Sequence, residues 1–331
     1  MKRKLWAGVD IGGTKTAVVL SAEPPDVLSR IEFPTLPVRG PEKAIRKIVD
    51  ALRALLAAEG ATAGALEGIG ISCGGPLDSN AGVIQAPPNL STWVDVPIVA
   101  ILAGEFKCGV RLENDANAGA QAEHRFGAGK GTRNMVFITM GTGFGAGVIL
   151  DGRLYSGTNG MAGEIGHVRL TRSGPVGYHK AGSAEGWASG GGMAQVAERA
   201  LKAAERSGKS TTLAAVAQGR RMTAKDVGLA AQAGDAVAQQ IVETCGKRMG
   251  EALAILVDLL NPECIVIGGL AMRMGEMVLA PARAAMRREA LAQSAAVCRV
   301  VPATLGESIG DVAALCIAMD AGAERGGAGF A

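Results

Sequence analysis

Twice in this chain a short apolar run meets a turn of small residues and resumes as a second apolar run. The first unit is Leu5 to Val9, Asp10-Ile-Gly-Gly-Thr-Lys-Thr16, then Ala17-Val-Val-Leu20. The second is Met135-Val-Phe-Ile-Thr-Met140, Gly141-Thr-Gly-Phe-Gly145, then Gly147-Val-Ile-Leu150. An offset of 130 residues lays Gly13 on Gly143, Val18 on Val148 and Leu20 on Leu150. One reading is two similar α/β halves facing each other across a cleft. Two unrelated glycine-rich hairpins is the other, and the alignment alone does not separate them.

Length leaves room for either. A chain of 331 residues suits two medium domains or one large α/β unit. With 48% hydrophobic and 20% charged residues it is a folded chain, not a disordered one. A net charge of +3 is near neutral for this size and argues against a nucleic-acid partner. Apolar stretches such as Leu253-Ala-Ile-Leu-Val-Asp258 are broken by charge, short of the roughly 18 residues of a spanning helix. Met1-Lys-Arg-Lys-Leu-Trp6 has the charges of a signal peptide, but a short strand holding Asp10 follows it, so a cytoplasmic setting without membrane contact is expected. Cys73, Cys108, Cys245, Cys264, Cys298 and Cys316 form no CxxC pair and read as buried reduced thiols. The 48 glycines cluster after apolar segments, where backbone would approach a ligand closely.

Strands alternate with helices, which argues for α/β. Pro41 to Glu59 has a first-turn proline and apolar residues at helical spacing. Gly68 to Ser72 reads as a buried strand ending in Gly74-Gly75-Pro76, and Val110 to Leu112 as a strand ending in Glu113-Asn-Asp-Ala-Asn117, where an Ala-rich helix begins. Gly157 to Gly192 is too long for a structureless connection and reads as functional. Thr223-Ala-Lys-Asp226 is a capping box, Asp235 to Leu260 the longest helix, Ile265 to Ile267 a strand before Gly268-Gly269, Arg299 to Val301 the last strand and Gly310 to Ala321 the last helix.

Two phosphate-loop patterns fail on context. Ser207-Gly-Lys-Ser210 leaves a helix rather than a strand, with Ala203 where the first glycine belongs. Gly141-Thr-Gly-Phe-Gly145 feeds a strand, whereas a dinucleotide fingerprint opens a helix. Asp10-Ile-Gly-Gly-Thr14 is a better candidate: a hairpin tip with free N–H groups and a hydroxyl is a donor nest for phosphate oxygens, although an ordinary hairpin turn would look the same. Asp10 beside it could hold Mg²⁺ through water. Thr139 to Gly143 offers a second nest, and two nests with a carboxylate suit a nucleoside triphosphate. Asn114-Asp115 lies where a strand gives way to a helix, the edge at which α/β sheets gather ligands. Asp115 there is either a helix N-cap or a general base for a substrate hydroxyl.

Asp10-Ile-Gly-Gly-Thr-Lys15, Glu113-Asn-Asp-Ala-Asn117, Gly141-Thr-Gly143 and Gly163-Glu-Ile-Gly-His167 occur in this order and spacing in the ROK family, which the chain resembles from about residue 5 to 320. Pro88-Asn-Leu90 with Trp93, and Asn261-Pro-Glu with Ile267-Gly-Gly269, match as well. The family holds bacterial sugar kinases, sugar-responsive repressors and the kinase half of a bifunctional epimerase. The resemblance implies an actin-like (ribonuclease H-like) ATPase fold, α/β with duplicated architecture, two lobes and ATP in a central cleft. One lobe would be residues 1–117 plus about 305–331, the other 118–304. It implies Asp115 as catalytic base. Gly75, Asn89, Asn114, Glu164, His167 and Glu185 would be the sugar contacts. Asp10, Gly12, Gly13, Thr14, Lys15, Gly141, Thr142, Gly143, Gly268 and Gly269 would be the ATP contacts. Mg²⁺ is the implied metal, and a homodimer the implied assembly.

One departure stands out. Family members usually carry C-x-C-G-x-x-G-C after the Gly163–His167 motif, binding a structural Zn²⁺ with the histidine. Here the three cysteine positions read Val176, Tyr178 and Ser183. His167 and His179 are two ligands, short of a closed tetrahedral site, so no structural zinc is expected. The loop would be ordered by packing, with Tyr178 and Trp187 the candidates. The expected activity is ATP-dependent phosphorylation of a sugar hydroxyl. The alternatives are a non-catalytic sugar sensor, against which the intact Asp10, nests and Asp115 argue, and a repressor. For a repressor, nine residues before Asp10 leave no room for a helix-turn-helix.

Overall fold

The structure is a computed structural model, and it describes residues 3–326. The chain begins with β1 (Leu5–Ile11), β2 (Lys15–Ser21) and β3 (Ser29–Pro34), then α1 (Pro41–Ala58) and β4 (Leu66–Cys73). A small hairpin, β5 (Leu77–Asp78) and β6 (Val83–Ile84), precedes α2 (Ile98–Phe106), β7 (Gly109–Asn114) and α3 (Asp115–Phe126). Next come β8 (Met135–Met140), β9 (Phe144–Leu150) and β10 (Arg153–Leu154), and a second small hairpin, β11 (Val176–Gly177) and β12 (Lys180–Ala181). Helices α4 (Ala184–Ala188), α5 (Gly190–Ser207), α6 (Leu213–Ala217), α7 (Ala224–Gln232) and α8 (Ala236–Leu260) follow. The chain ends with β13 (Cys264–Gly269), α9 (Leu270–Met274), α10 (Glu276–Glu289), α11 (Ala292–Val297), β14 (Arg299–Pro302) and α12 (Ile309–Gly326).

These elements form two compact units. One runs through Ala122 and resumes at Glu307; the other is Glu123–Gly306. Each is built on a five-stranded sheet, in the orders β3-β2-β1-β4-β7 and β10-β9-β8-β13-β14. In both, an antiparallel hairpin pairs on one side and two parallel strands extend the other. The weak 130-residue repeat is therefore an architectural one: β1 and β8 hold the same place in their sheets, and so do the turns that follow them.

The first sheet shows how sequence sets the packing. Trp6, Gly68 and Gly109 share one register row, Gly8, Gly70 and Arg111 the next, and Asp10, Ser72 and Glu113 the third. Rows two residues apart face the same side. The glycines let α12 lie directly on the backbone: a Cβ at Gly70 would overlap the Ala314 carbonyl, one at Gly68 the Ala318 carbonyl and one at Gly109 the Ala321 carbonyl. The third row then emerges at the carboxyl edge of the sheet beside the start of α12, where Gly310 packs against the Asp10 carboxylate. The other side of the sheet buries Leu5, Ala7, Val9 and Ile11 with Ile48, Leu52, Leu55 and Leu56 of α1.

Several sequence expectations meet their structural counterparts. The Thr223–Asp226 capping box is present, Asp235 caps α8, and Asn261 ends it in the left-handed region at φ 44°. All six cysteines are buried, and none is in a disulfide. Ser207 ends α5, and Gly208 caps it at φ 65°, a helix C-terminus and not a phosphate loop. The segment from Gly157 to Gly192 is shown to contain the second small hairpin and α4. Among the described residues no helix is long and apolar enough to cross a membrane.

Candidate functional site

The first turn, Gly12 to Thr14, is pinned through the backbone of its first and last residues. Gly12 N–H donates to Lys15 O at 3.0 Å, and Gly12 O accepts the Thr35 hydroxyl at 2.7 Å. Thr14 O accepts Thr35 N–H at 3.0 Å. What remains among the described residues is the Gly13 carbonyl and the adjacent N–H groups of Gly13 and Thr14. Unpaired, adjacent donors at an exposed tip are the makings of an anion nest. Gly13 must be glycine here, because a Cβ would stand 2.6 Å from the Asn89 Cβ. Asn89, assigned to sugar, thus lies against the turn assigned to phosphate. The Lys15 ammonium is turned to Glu32 at 2.9 Å.

The second turn repeats the arrangement. Gly141 N–H donates to Gly143 O at 3.0 Å and Gly141 O accepts Gly190 N–H at 2.8 Å, which leaves the N–H groups of Thr142 and Gly143 without acceptors among the described residues. Phe144 N–H donates to Glu185 Oε2 at 3.2 Å, and the same carboxylate lies where a Gly143 side chain would be. Gly269, at φ 70°, packs on the Met140 carbonyl just before that turn, and Gly268 packs on the Phe137 ring.

Asp115 opens α3 directly after β7. Its Oδ1 accepts Ala116 N–H at 2.9 Å, and Asn114 Oδ1 shares the same donor at 3.0 Å. Asn114 therefore carries much of the capping that sequence alone could have given to Asp115. The Asp115 carboxylate reaches solvent, yet enough protein surrounds it that desolvation raises its pKa, against hydrogen bonds from Ala116 and its own N–H. Gly74 stands near its Oδ2, and Gly75 lies against the Asn114 amide. Asp10 is pushed up to about 6, by burial first and then by the charges of Asp115 and Asp311; a hydrogen bond from Ser72 and the charge of Lys15 oppose this.

In the second unit, Gly163 and Gly166 strap the Gly163–His167 motif onto β9, against Ala146 and Phe144. Glu164 and His167 approach to 3.9 Å. The His167 ring meets Tyr178 edge-on at 5.0 Å. Where family members have thiolates, Val176 is clamped through both backbone groups by Gln195, at 2.9 and 2.8 Å, and Ser183 caps α4 through Gly186 N–H at 3.1 Å. Trp187 fixes the loop from beneath, donating to Thr171 Oγ1 at 2.8 Å and packing on Gly174. Among the described residues no three His, Cys, Asp or Glu side chains are grouped to hold a metal.

Residues 6–321 match the ROK family. The chain belongs to the ROK family. A glucokinase from Halalkalibacterium halodurans is 35% identical over 312 residues, 94% of this chain and 93% of that one. A glucokinase from Streptomyces coelicolor is 33% identical, over 96% of this chain and 98% of its own. Among solved structures, the ROK hexokinase of Thermus thermophilus superposes with a TM-score of 0.81 at 30% identity, covering 97% of this chain and all of the other. The ROK family glucokinase of Streptomyces griseus, in complex with glucose and AMPPNP, has a TM-score of 0.78 at 32% identity over 96% of this chain and 99% of its own. This ROK protein has the actin-like ATPase fold of those enzymes and is a sugar kinase.

Three residues that hold the turns and the loop of this ROK protein lie outside the motifs. Thr35 lies outside every motif, and only the pairing of its hydroxyl with a turn carbonyl reveals it. Gln195 lies on a helix with no local signal. Ser72 was read as strand, although a lone serine at the end of an apolar strand is a detectable signal.

Proposed function

We propose that the protein transfers the γ-phosphoryl group of ATP to a hydroxyl of a hexose, glucose being the first candidate, with Asp115 as general base. The observation that carries this reading is Asp115 itself. It is a solvent-reached carboxylate with a raised pKa, at the junction of β7 and α3, beside Asn114 and Gly74. The glucokinase relatives supply the choice of sugar.

The free N–H groups of Gly13 and Thr14, and of Thr142 and Gly143, would hold phosphate oxygens; Gly268 and Gly269 would let the nucleotide lie close. Asn89, Asn114, Gly75, Glu164, His167 and Glu185 would hold sugar hydroxyls. Asp115 would take the acceptor hydroxyl proton as its oxygen moves in line onto phosphorus, and positioning would supply most of the rate. A magnesium ion bound with ATP would neutralise phosphate charge, and Asp10, crowded by Asp115 and Asp311, is the carboxylate suited to hold its water shell. The same reading gives the unit containing Asp10 and Asp115 phosphate and sugar contacts and the other the second phosphate loop, the sugar-contact loop and the adenosine site, in a cytoplasmic homodimer of the family's kind.

The test is a panel of hexoses in a coupled ADP-release assay, with Asp115→Asn as control. Sugar-dependent ADP release that Asp115→Asn lowers by about 10²–10⁴-fold, with sugar affinity within a few-fold, is expected. Near wild-type turnover by the variant would remove Asp115 from the role.

A further inference from the structure

The Glu113 carboxylate is 6% exposed, and a single oxygen, Oε1, collects three hydrogen bonds. It accepts Asn114 N–H at 2.9 Å, the Asn117 side-chain amide at 3.0 Å and the Ser79 hydroxyl at 3.2 Å. Those donors belong to the last residue of β7, the first turn of α3, and the turn of the β5–β6 hairpin. Asp115 sits between the first two. We infer that Glu113 is a positioning residue, which holds the backbone of Asp115 and Asn114 from behind and ties it to the β5–β6 hairpin that follows Gly75.

Three observations lead there. First, the anchors at Asn114 and Asn117 bracket Asp115 on both sides, so the backbone that carries the base is held at two points. Second, Asn117 keeps its contact although its own Oδ1 is left buried with no donor among the described residues. An unpartnered buried acceptor is costly, and turning the amide over would face two acceptors at each other, so the Glu113 contact dictates its orientation. Third, Glu113 shares its register row with Ser72 and Asp10 on neighbouring strands, on the face that meets the start of α12. Two carboxylates and the hydroxyl that bonds Asp10 thus stand on one rigid sheet edge, the kind of support that holds a base within the few tenths of an ångström catalysis needs.

The inference rests on Asp115 being the base, and a double-mutant cycle separates the two ideas. Glu113→Ala, folded by circular dichroism, is expected to lower kcat by about 10²-fold, the loss typical of a small misplacement of reacting groups. ATP KM should stay within about twofold. Glu113→Gln keeps a carbonyl acceptor and should recover most of the loss; it also serves if the alanine variant does not fold. In an Asp115→Asn background, adding Glu113→Gln or Glu113→Ala should change single-turnover rate by less than about threefold, because residues acting as one unit are not additive. Losses that multiply across the cycle, or a folded Glu113→Ala with wild-type kcat, overturn the role of Glu113 while leaving Asp115 in place. Wild-type turnover by Asp115→Asn instead overturns the base itself and the positioning role with it.

Discussion

Glu123 Oε1 accepts the backbone N–H of Thr304 at 3.0 Å, fastening the first residue of the second unit to a segment near its last. The carboxylate is fully buried and also accepts Leu305 N–H at 3.0 Å and Ala128 N–H at 2.7 Å. Gly127 packs so closely on it that a side chain there would overlap Oε2. Removing the acceptor takes this partner from three part-buried N–H groups, each loss costing about 1 kcal/mol or more. Glu123→Ala should therefore destabilise the second unit by more than about 3 kcal/mol. Hydrogen exchange read at residues 127–132 and 303–306 should rise first; unchanged protection there would show that water replaces the carboxylate without loss.

Asp10 gives a pH dependence of unusual sign. Its folded pKa, about 6, lies above the ordinary 3.8, so between these values the folded chain binds more protons than the unfolded one. Stability from this group is then greatest at pH below about 4, falls as pH rises through about 6, and levels off only about a pH unit above that. Asp10→Asn should remove that slope from the melting temperature and raise the melting temperature at pH 7, while weakening Mg²⁺-dependent turnover more than sugar binding. A wild-type slope retained in the variant would assign the titration to another group.

Thr35 supports the first nest by proton order. Its hydroxyl gives its one proton to Gly12 O, so in the 2.9 Å contact with Thr16 it must accept. Thr35→Val leaves Gly12 O and the Thr16 hydroxyl unpaired and should raise ATP KM about tenfold, equivalent to 1.4 kcal/mol, with sugar affinity unchanged. Thr35→Ser should restore it. An ATP KM within twofold in the valine variant would mean that the turn holds its shape alone.

The loop from Thr171 to Ser183 should need no zinc. Elemental analysis is expected to find no stoichiometric metal, and a chelator should leave the melting temperature unchanged. Gln195→Ala, which frees both backbone groups of Val176, should make this loop the first site of limited proteolysis. About one zinc per chain, with loss of melting temperature in chelator, would contradict this.

Local chemistry was legible wherever it was written in adjacent residues. The glycine turns after β1 and β8, the capping box at Thr223, the long α8 and the Asn114-Asp115 junction all depend on neighbours in the chain, and their residues announce them. The repeat too was visible, but as a faint echo, because two sheets with equal strand order need share only the small residues at their turns. Tertiary structure decided the rest. Which carbonyls of the Gly12–Thr14 turn are taken, and hence which N–H groups stay free, depends on Thr35, brought in by β3. Glu113 faces Ser79 and Asn117 because strand pairing sets its side, and a register slip of one residue would turn it away. Glu123 and Thr304 are 181 residues apart in sequence. A sequence displays what a residue can bond; only the fold brings a partner so distant within 3.0 Å.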